Sequence, residues 1–448
     1  MKKFIEIFKN KEVVNRIFFT IMILFVFRIG SAITVPGIDA SQLTNELQNN
    51  TNNILALMNL LGGGALQNFS VFALGVSPYI TGQIIIQLLS MDVLPALSEL
   101  NKQGQYGRKK VDMATRYLSL LLAAVQAFGI IQTAKNTEWI SFTMDDSFLT
   151  YAYIVTIMTA GSSLVIWLGD QITSKGIGNG ISVIIFAGIV ASLPRQMITA
   201  FQKWVMANWN LGSAETTKGV FQFLVYVAAF VLIIAFVIYI ELSRRKIPVQ
   251  HSSKTGGNEK LAKASFLPIK INSAGVIPVI FSSSILMAPS IVASFISPEA
   301  ANANWIKVFM YNEMVDTFGV MIPWGLFIYL SLIFAFTFFY ANLQINPTQM
   351  AENFQKSGSY IPGIRPGNET EKYVRKVLNR VTLIGASSLV FISALPVVLT
   401  LSGIFGNDSS LALGGTGLII VVGVALEINN QINGLIAGKS YDEVIGGM

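Results

Sequence analysis

The stretch GVFQFLVYVAAFVLIIAFVIYI, residues 219–240, contains no charged residue and is bounded by Lys218 and Glu241. Its length matches the run of about 20 apolar residues that a helix needs to cross a bilayer. Eight other uncharged runs are also long enough to span, and a further apolar segment, about residues 17–36, contains one charge, Arg28. The pattern predicts an all-α, polytopic membrane protein with ten transmembrane helices.

Composition supports a membrane location and argues against an enzyme. Hydrophobic residues make up 52% of the 448 residues and charged residues 12%, and the mean hydropathy is +0.58, outside the balance of a soluble domain. There is no cysteine, and the single histidine, His251, leaves little material for metal or acid–base chemistry. The sequence contains no paired carboxylates, no nucleophile with a base and no phosphate-binding glycine loop. We therefore expect no enzymatic activity, no metal and no cofactor.

Lysine and arginine are distributed unevenly between the two sides of the predicted bundle. With the N-terminus inside, 25 of the 31 basic residues fall in inside segments, as expected because positive residues concentrate in cytoplasmic loops. The first span is expected to remain uncleaved, since nine further spans follow it and residues 4–16 have the pattern of an amphipathic interfacial helix. The chain is therefore predicted to be multi-pass, with both termini in the cytosol.

The longest uncharged run, residues 47–91, is about twice the length that one span needs and is interrupted by three glycines at 62–64. We predict a short apolar segment at about 54–61, a glycine break, and a span over about residues 69–91. The short segment cannot cross a bilayer. It is either an interfacial helix or a half-inserted segment, and the second alternative implies an enclosed cavity, because non-helical backbone survives at membrane depth only inside protein or beside water.

Two predicted inside loops, residues 241–270 and 341–380, are long and basic. Loops of this length are usually functional. The segment SGSYIPGIRPG at 357–367 holds three glycines and two prolines around Arg365, which indicates a shaped turn. Such loops suit acidic partners such as ribosomal RNA or a cytosolic motor. The alternative is that they are solvated loops whose charges only orient the helices.

Uncharged polar side chains occur within the predicted spans, among them Thr81, Gln87, Gln126 and Asn272, whereas Arg28 is the only clearly intramembrane charge. Ion-coupled transporters usually carry acidic residues in their spans. Their absence favours a passive conduit, powered elsewhere, over a secondary transporter of small solutes. The polar residues either hold neighbouring helices together by hydrogen bonds or form a polar seam between helices that separate.

Four long stretches resemble the SecY family: FALGVSPYITGQIIIQLL (72–89), DQITSKGIGNGISVIIFAGIVASLP (170–194), INSAGVIPVIF (271–281) and QKSGSYIPGIRPGNETEKYVRKVLNRVTLIGA (355–386). Shorter matches are FRIGSAITVPGID (27–39), GRKKVDMATRY (107–117) and GGTGLIIVV (414–422). The resemblance implies two inverted five-helix halves around an hourglass pore. It divides the chain into a cytosolic amphipathic segment (1–16), a first half with spans 1–5 (17–197), a second half with spans 6–10 (198–435) and a cytosolic tail (436–448).

The resemblance also implies four groups of functional residues. The pore constriction is an aliphatic ring of Val76, Ile80, Ile181, Ile185, Ile280 and Ile420, which would seal around a passing chain without gripping a particular sequence. The plug lies at about 55–66, favouring the half-inserted alternative, and includes Leu57, Leu60, Leu61, Gly62, Gly63 and Gly64. The polar cluster of the lateral gate consists of Thr81, Gln126 and Asn272, which are expected to meet across the seam. Cytosolic partners would contact Arg244, Arg245, Lys246, Arg365 and Pro366.

On this resemblance the chain is expected to move unfolded preproteins across the bacterial cytoplasmic membrane and to release signal sequences and transmembrane segments laterally into the lipid bilayer. The implied partners are SecE and SecG in the membrane, and the SecA motor ATPase and the ribosome on the cytosolic side. An accessory SecY paralogue with few clients is the alternative within the family. The loop 241–270 departs most from the family pattern, because its central SSKTGGNE stretch is less basic.

Overall fold

The computed structural model of the protein describes residues 10–39, 43, 62–90, 94–136, 140–142, 147–207, 209, 213–251, 265–296, 308–309, 315–317, 320–401 and 415–446. Leu57, Leu60 and Leu61 of the predicted plug lie outside these residues. So do residues 1–9 of the N-terminal segment and residues 252–264 at the centre of the first basic loop.

Helices dominate the described residues. They are α1 (Lys11–Ala32), α2 (Ser77–Leu89), α3 (Pro95–Lys102), α4 (Gln105–Asn136), α5 (Phe148–Lys175), α6 (Gly180–Phe201), α7 (Ser213–Leu242), α8 (Ile277–Ile296), α9 (Trp324–Gln344), α10 (Pro347–Lys356), α11 (Asn368–Leu401) and α12 (Gly415–Gly446). The strands are β1 (Ile38–Asp39), β2 (Ser141–Phe142), β3 (Arg244–His251), β4 (Ser265–Lys270), β5 (Val315–Thr317), β6 (Val320–Ile322) and β7 (Ser359–Tyr360). β1 pairs with β2 and β5 with β6, both antiparallel.

Eight of these helices are long and apolar enough to cross a membrane, namely α1, α4, α5, α6, α7, α9, α11 and α12. The other two predicted spans correspond to α2, with 13 residues, and to α8, which contains the apolar stretch Ile277–Leu286. Every one of the ten predicted spans therefore contains a helix.

The second span begins later than predicted. The expected start at about Phe69 is wrong, because α2 begins at Ser77. Phe69 has a positive φ of 44° and Gly75 one of 54°, which a right-handed helix cannot accommodate. Pro78 stands in the first turn of α2, where a missing N–H leaves no helical hydrogen bond unmade.

The segment 62–76 before α2, which we call the strap, is irregular but packed inside the protein. The strap is hydrogen-bonded to the residues that follow α1 and to α5: Val35 N–H donates to the carbonyl of Phe69 at 3.0 Å, and Ser162 Oγ donates to that of Gly75 at 3.1 Å. The ring of Phe72 stacks on Phe27 of α1 with centroids 5.9 Å apart. Such pairing is what permits irregular backbone at membrane depth.

The first five spans (α1, α2, α4, α5, α6) and the last five (α7, α8, α9, α11, α12) meet along two seams. In the first seam α8 packs against α2 and α4. In the second seam α12 packs against α6 and, less extensively, α1. One apolar cluster draws buried residues from both halves and lies between them. The division at residues 197 and 198 stays a prediction, although α6 runs beyond it and continues as a π-helical turn, Gln202–Met206.

The two basic loops fold together as one unit, which we call the loop domain. β3 forms a hairpin with β4, and its end pairs with β7 from the second loop through Gln250 with Tyr360. A separate apolar core that includes Ile247, Ile361 and Val374 lies beneath the sheet and against α10 and α11. The all-α membrane fold thus carries a small three-stranded sheet outside its spans.

Candidate functional site

The six aliphatic residues of the predicted ring come together in one apolar cluster. Val76, Ile80, Ile185, Ile280 and Ile420 are buried in it, and the half-buried Ile181 packs against it. They come from four helices or their caps, α2, α6, α8 and α12, and from both halves of the chain. Val76 and Ile420 are 344 positions apart in sequence, so no local pattern could join these side chains, and the fold brings them together.

Each of the four helices contributes its ring residues from its first turns. Val76 is the N-cap of α2 and accepts the N–H of Ile80 at 3.1 Å. The Oδ1 atom of Asn179 caps α6 by accepting the N–H of Ile181 at 3.2 Å. Because these helix starts are capped or bonded, the ring side chains stand on ordered backbone.

The strap lies directly against this cluster. Ala65 and Phe72 of the strap are buried members of it, and so is Ile84, one turn beyond Ile80 in α2. Ala65 lies within the predicted plug, about residues 55–66, whereas Phe72 and Ile84 were not predicted as ring or plug positions. The strap therefore covers the apolar cluster at the point where the predicted plug joins α2.

The three glycines at 62–64 belong to the described part of the predicted plug, residues 62–66. Gly63 has a φ of 72° and lies so close to Gly188 of α6 that a Cβ on either residue would crowd the other's Cα. The Nη1 atom of Arg28 donates a 2.7 Å hydrogen bond to the carbonyl of Gly63. Glycine is thus required here for its conformation and for the direct approach of two backbones.

Thr81, Gln126 and Asn272, the predicted polar cluster of the gate, make no hydrogen bond to one another among the described residues, and their role in the gate stays a prediction. Thr81 donates to the carbonyl of Ser77 in its own helix at 3.1 Å, a common alternative for threonine. The Nδ2 atom of Asn272 donates to Oε1 of Glu241 at 2.5 Å. Gln126 Oε1 and Asn272 Oδ1 are buried without a partner among the described residues. Asn272 also lies in the bend before α8 rather than in the helix.

A different polar pair crosses the first seam. The hydroxyl of Tyr340 in α9 donates to Oε1 of Gln87 in α2 at 2.8 Å. The Tyr340 ring meets Phe281 of α8 edge-on at 5.0 Å and Phe339 at 5.3 Å. Gln87 was recognised as a polar residue of its span, but no sequence pattern pointed to Tyr340. One neutral hydrogen bond therefore joins the two halves at this point, and the aromatic contacts hold the Tyr340 ring within the second half.

The predicted partner-binding residues are exposed on the loop domain. Arg244, Arg245 and Lys246 lie on β3, and Arg365 and Pro366 lie on the turn after β7. Two hydrogen bonds to the backbone of Arg365 order the turn. The Arg365 carbonyl accepts from the Thr370 hydroxyl at 2.9 Å, and the Arg365 N–H donates to Oε2 of Glu369 at 3.4 Å. No hydrogen bond or ion pair occupies the Arg365 guanidinium among the described residues, so it is available to a partner.

A further set of contacts, which the sequence interpretation missed, lies in the turn between α5 and α6. The N–H of Ile177 donates to Thr20 Oγ1 of α1 at 3.1 Å, and the N–H of Gly178 donates to Gln431 Oε1 of α12 at 2.7 Å. The N–H of Gly180 donates to Thr173 Oγ1 at 2.8 Å. These three bonds tie one turn to helices of both halves at the second seam.

Chemically, this arrangement can seal and guide but offers little for catalysis. The ring is aliphatic, and the described residues hold no group of three or more His, Asp or Glu side chains suited to a metal. A narrow aliphatic constriction excludes water and ions when closed and makes no sequence-specific contact with a chain inside it.

Residues 70–429 match the family model described as SecY. Protein translocase subunit SecY of Streptococcus sanguinis (strain SK36) is 43% identical over 436 residues, which cover 97% of this chain and 97% of that protein. The chain belongs to the SecY family. Protein translocase subunit SecY 1 of Lactobacillus kefiranofaciens subsp. kefiranofaciens is 41% identical with the same coverage of both chains.

The SecY fold is also seen in solved structures. A structure described as showing that the plug domain of the SecY protein stabilises the closed state of the translocation channel matches with a TM-score of 0.65. It is 17% identical and the match covers 93% of this chain and 91% of that one. The family and the polytopic helical fold expected from the sequence are both confirmed. The roles of the ring, gate and plug residues stay predictions.

Proposed function

We propose that this chain is the channel-forming subunit of a protein translocase. It conducts unfolded preproteins across the membrane and releases signal sequences and transmembrane segments sideways into lipid. The observation that carries the proposal is the convergence of six aliphatic side chains from four helices of a SecY-family fold into one cluster between the halves. A constriction built this way suits a polymer of varied sequence better than a single small solute.

The closed channel is sealed twice. The aliphatic ring excludes water, since apolar walls at close spacing favour dewetting. The strap covers the same cluster with Ala65 and Phe72. A passing chain has to displace the strap and widen the ring, and the aliphatic side chains then close around it without forming polar bonds that would hold it in place.

Lateral release takes place at the first seam. There the halves meet through packing of α8 on α2 and α4 and through the Tyr340 to Gln87 hydrogen bond. Interhelical hydrogen bonds in membranes contribute about 0.6 kcal/mol on average. A signal sequence that offers a hydrophobic helix in exchange for these contacts can therefore open the seam toward lipid.

The driving force comes from partners. Because the spans have few ionisable groups, an ion gradient has little to act on within this chain, and the loop domain offers a basic surface instead. Its exposed Arg244, Arg245, Lys246 and Arg365 would bind acidic faces of the SecA motor ATPase or the ribosome. SecE and SecG are the proposed membrane partners. The basic loops then face the cytosol of a bacterial cell, with both termini on that side.

The proposal is tested by reconstituting the chain with SecE and SecG in lipid vesicles and adding SecA, ATP and a preprotein. We expect the preprotein to become protected from protease inside the vesicles only when ATP and a functional signal sequence are present. The matched control is the same preprotein with charged residues placed in its signal. Absence of protected preprotein in vesicles whose channel is folded and correctly oriented would contradict the proposed function.

A further inference from the structure

Arg28 is a charged residue in a span, and its position is unusual. It lies one turn before the end of α1, on the exposed side of that helix between the exposed apolar residues Phe25 and Ile29. Charged side chains at such depth are costly unless they reach water or a polar group. Its guanidinium contacts a polar group inside the protein, because Nη1 donates to the Gly63 carbonyl at 2.7 Å.

Three residues lie against Gly63. Arg28 bonds its carbonyl, the ring of Phe27 lies beside it, and the backbone of Gly188 in α6 lies against its Cα. Neither Phe27 nor Gly188 offers it a polar contact, so among the described residues the arginine supplies the polar, directional contact to this turn. Hydrogen bonds from a charged donor are about twice as strong as neutral ones.

The simpler alternative is that Arg28 only extends to the membrane surface and anchors α1, as long basic side chains near helix ends often do. That alternative predicts no dependence on Gly63 or Gly188. The geometry favours a role in the strap, because the bond is short, crosses 35 positions of sequence and ends at the turn that leads to the predicted plug.

We infer that Arg28 is a positioning residue that holds the Gly62–Gly64 turn against α6 in the closed channel, so that the plug is retained by a bond from the first span. The inference rests on the proposed function, since it presumes a channel that opens. Opening would require the guanidinium to release the Gly63 carbonyl and find water or lipid headgroups instead. Gly188 lets the turn pack directly on α6, because neither Gly63 nor Gly188 has a side chain that would separate the two backbones.

The test uses the full chain assembled with its membrane partners in planar bilayers and measures ion conductance without preprotein. Arg28→Met keeps the length of the side chain and removes the donor, whereas Arg28→Lys keeps a charged donor. We expect conductance at rest to rise about tenfold in Arg28→Met, the change in a two-state equilibrium that loss of one charged hydrogen bond produces, and to rise much less in Arg28→Lys. Arg195→Met is the control, since Arg195 is exposed and its guanidinium makes no hydrogen bond or ion pair with the part of the chain that the structure describes.

A second variant tests the same contact from the other side. Gly188→Ala places a Cβ against Gly63 and is expected to raise conductance, with the double variant Arg28→Met/Gly188→Ala no leakier than the leakier single variant. Gly434→Ala is the matched control, because a Cβ there meets nothing within 4 Å. Independent, multiplying effects of the two substitutions would overturn the inference.

The inference and the proposed function fail in different ways. If the parent channel transports preprotein and the ring variant Ile280→Asn leaks, but Arg28→Met is as tight as the parent, Arg28 does not position the strap. Equal leak in Arg28→Met and Arg28→Lys would also overturn the inference. If the parent channel itself transports nothing, the proposed function fails instead.

Discussion

Removing the Tyr340 hydroxyl is expected to loosen the first seam without disturbing its packing. In Tyr340→Phe the buried ring keeps its edge contacts with Phe281 and Phe339, and only the 2.8 Å bond to Gln87 is lost. The substitution therefore isolates one polar contact between the halves. It is a sharper probe of the gate than changes at Thr81, whose hydroxyl bonds within its own helix.

The expected size follows from the strength of such bonds. An interhelical hydrogen bond in a membrane protein contributes about 0.6 kcal/mol on average, because the separated partners find other bonds. Since about 1.4 kcal/mol corresponds to a factor of ten, loss of the bond should shift the balance between closed and open gate about threefold toward open. Gln87→Leu removes the acceptor and should produce a similar shift.

Two assays report the shift. Export of a preprotein with a weakened signal sequence should rise about threefold in Tyr340→Phe, while export with a strong signal stays unchanged because binding already saturates opening. A cysteine pair placed across α2 and α8 should crosslink less readily at rest, and the chain has no natural cysteine to interfere. The double variant Tyr340→Phe/Gln87→Leu should shift the gate no further than either single variant, because both substitutions remove the same hydrogen bond. If the double variant shows the product of the two single effects, or if both singles match the parent, the bond does not hold the gate.

Three further changes test other parts of the molecule. Ile280→Asn should make the resting channel conduct ions, because a polar group in the ring invites water, and Ile280→Leu is the control that should stay tight. Arg365→Glu should reduce SecA-driven transport while membrane insertion stays normal, since its exposed charge would repel an acidic partner; unchanged transport would contradict that role. Asn272→Leu removes the amide donor to Glu241 and should lower the free energy of unfolding by about 1–3 kcal/mol, whereas Thr81→Val should leave the melting temperature nearly unchanged.

Much of the membrane fold could be predicted because charge is costly in a bilayer, so charge-free runs mark spans wherever they occur. The run 219–240 and its helix α7 illustrate this. The start of α2 could not be predicted in the same way, since the strap is as apolar as a helix would be. Its course depends on positive φ at Phe69 and Gly75 and on hydrogen bonds to Ile33 and Val35 after α1. A hydropathy profile records neither of these features.

The ring and the gate also combine a part that the sequence predicts with a part that depends on tertiary structure. Spacing predicted that Val76 and Ile80 share a helix face, but only resemblance linked them to Ile280 and Ile420, and the fold then brought them together. The hydrogen bond from Tyr340 to Gln87 joins residues 253 positions apart. A tertiary contact of that separation depends on how α2 and α9 are placed, and a single sequence records no such placement.

The union of the two basic loops has a mechanical consequence. β4 ends at Lys270, and the short bend that follows leads into α8, which carries Ile280. That bend is stiffened at its start, since Ile271 N–H donates to the Ser243 carbonyl at 3.0 Å and Asn272 is bonded to Glu241. A force that a bound partner applies to the sheet would therefore be transmitted through this bend to α8, and would not be lost in a flexible linker.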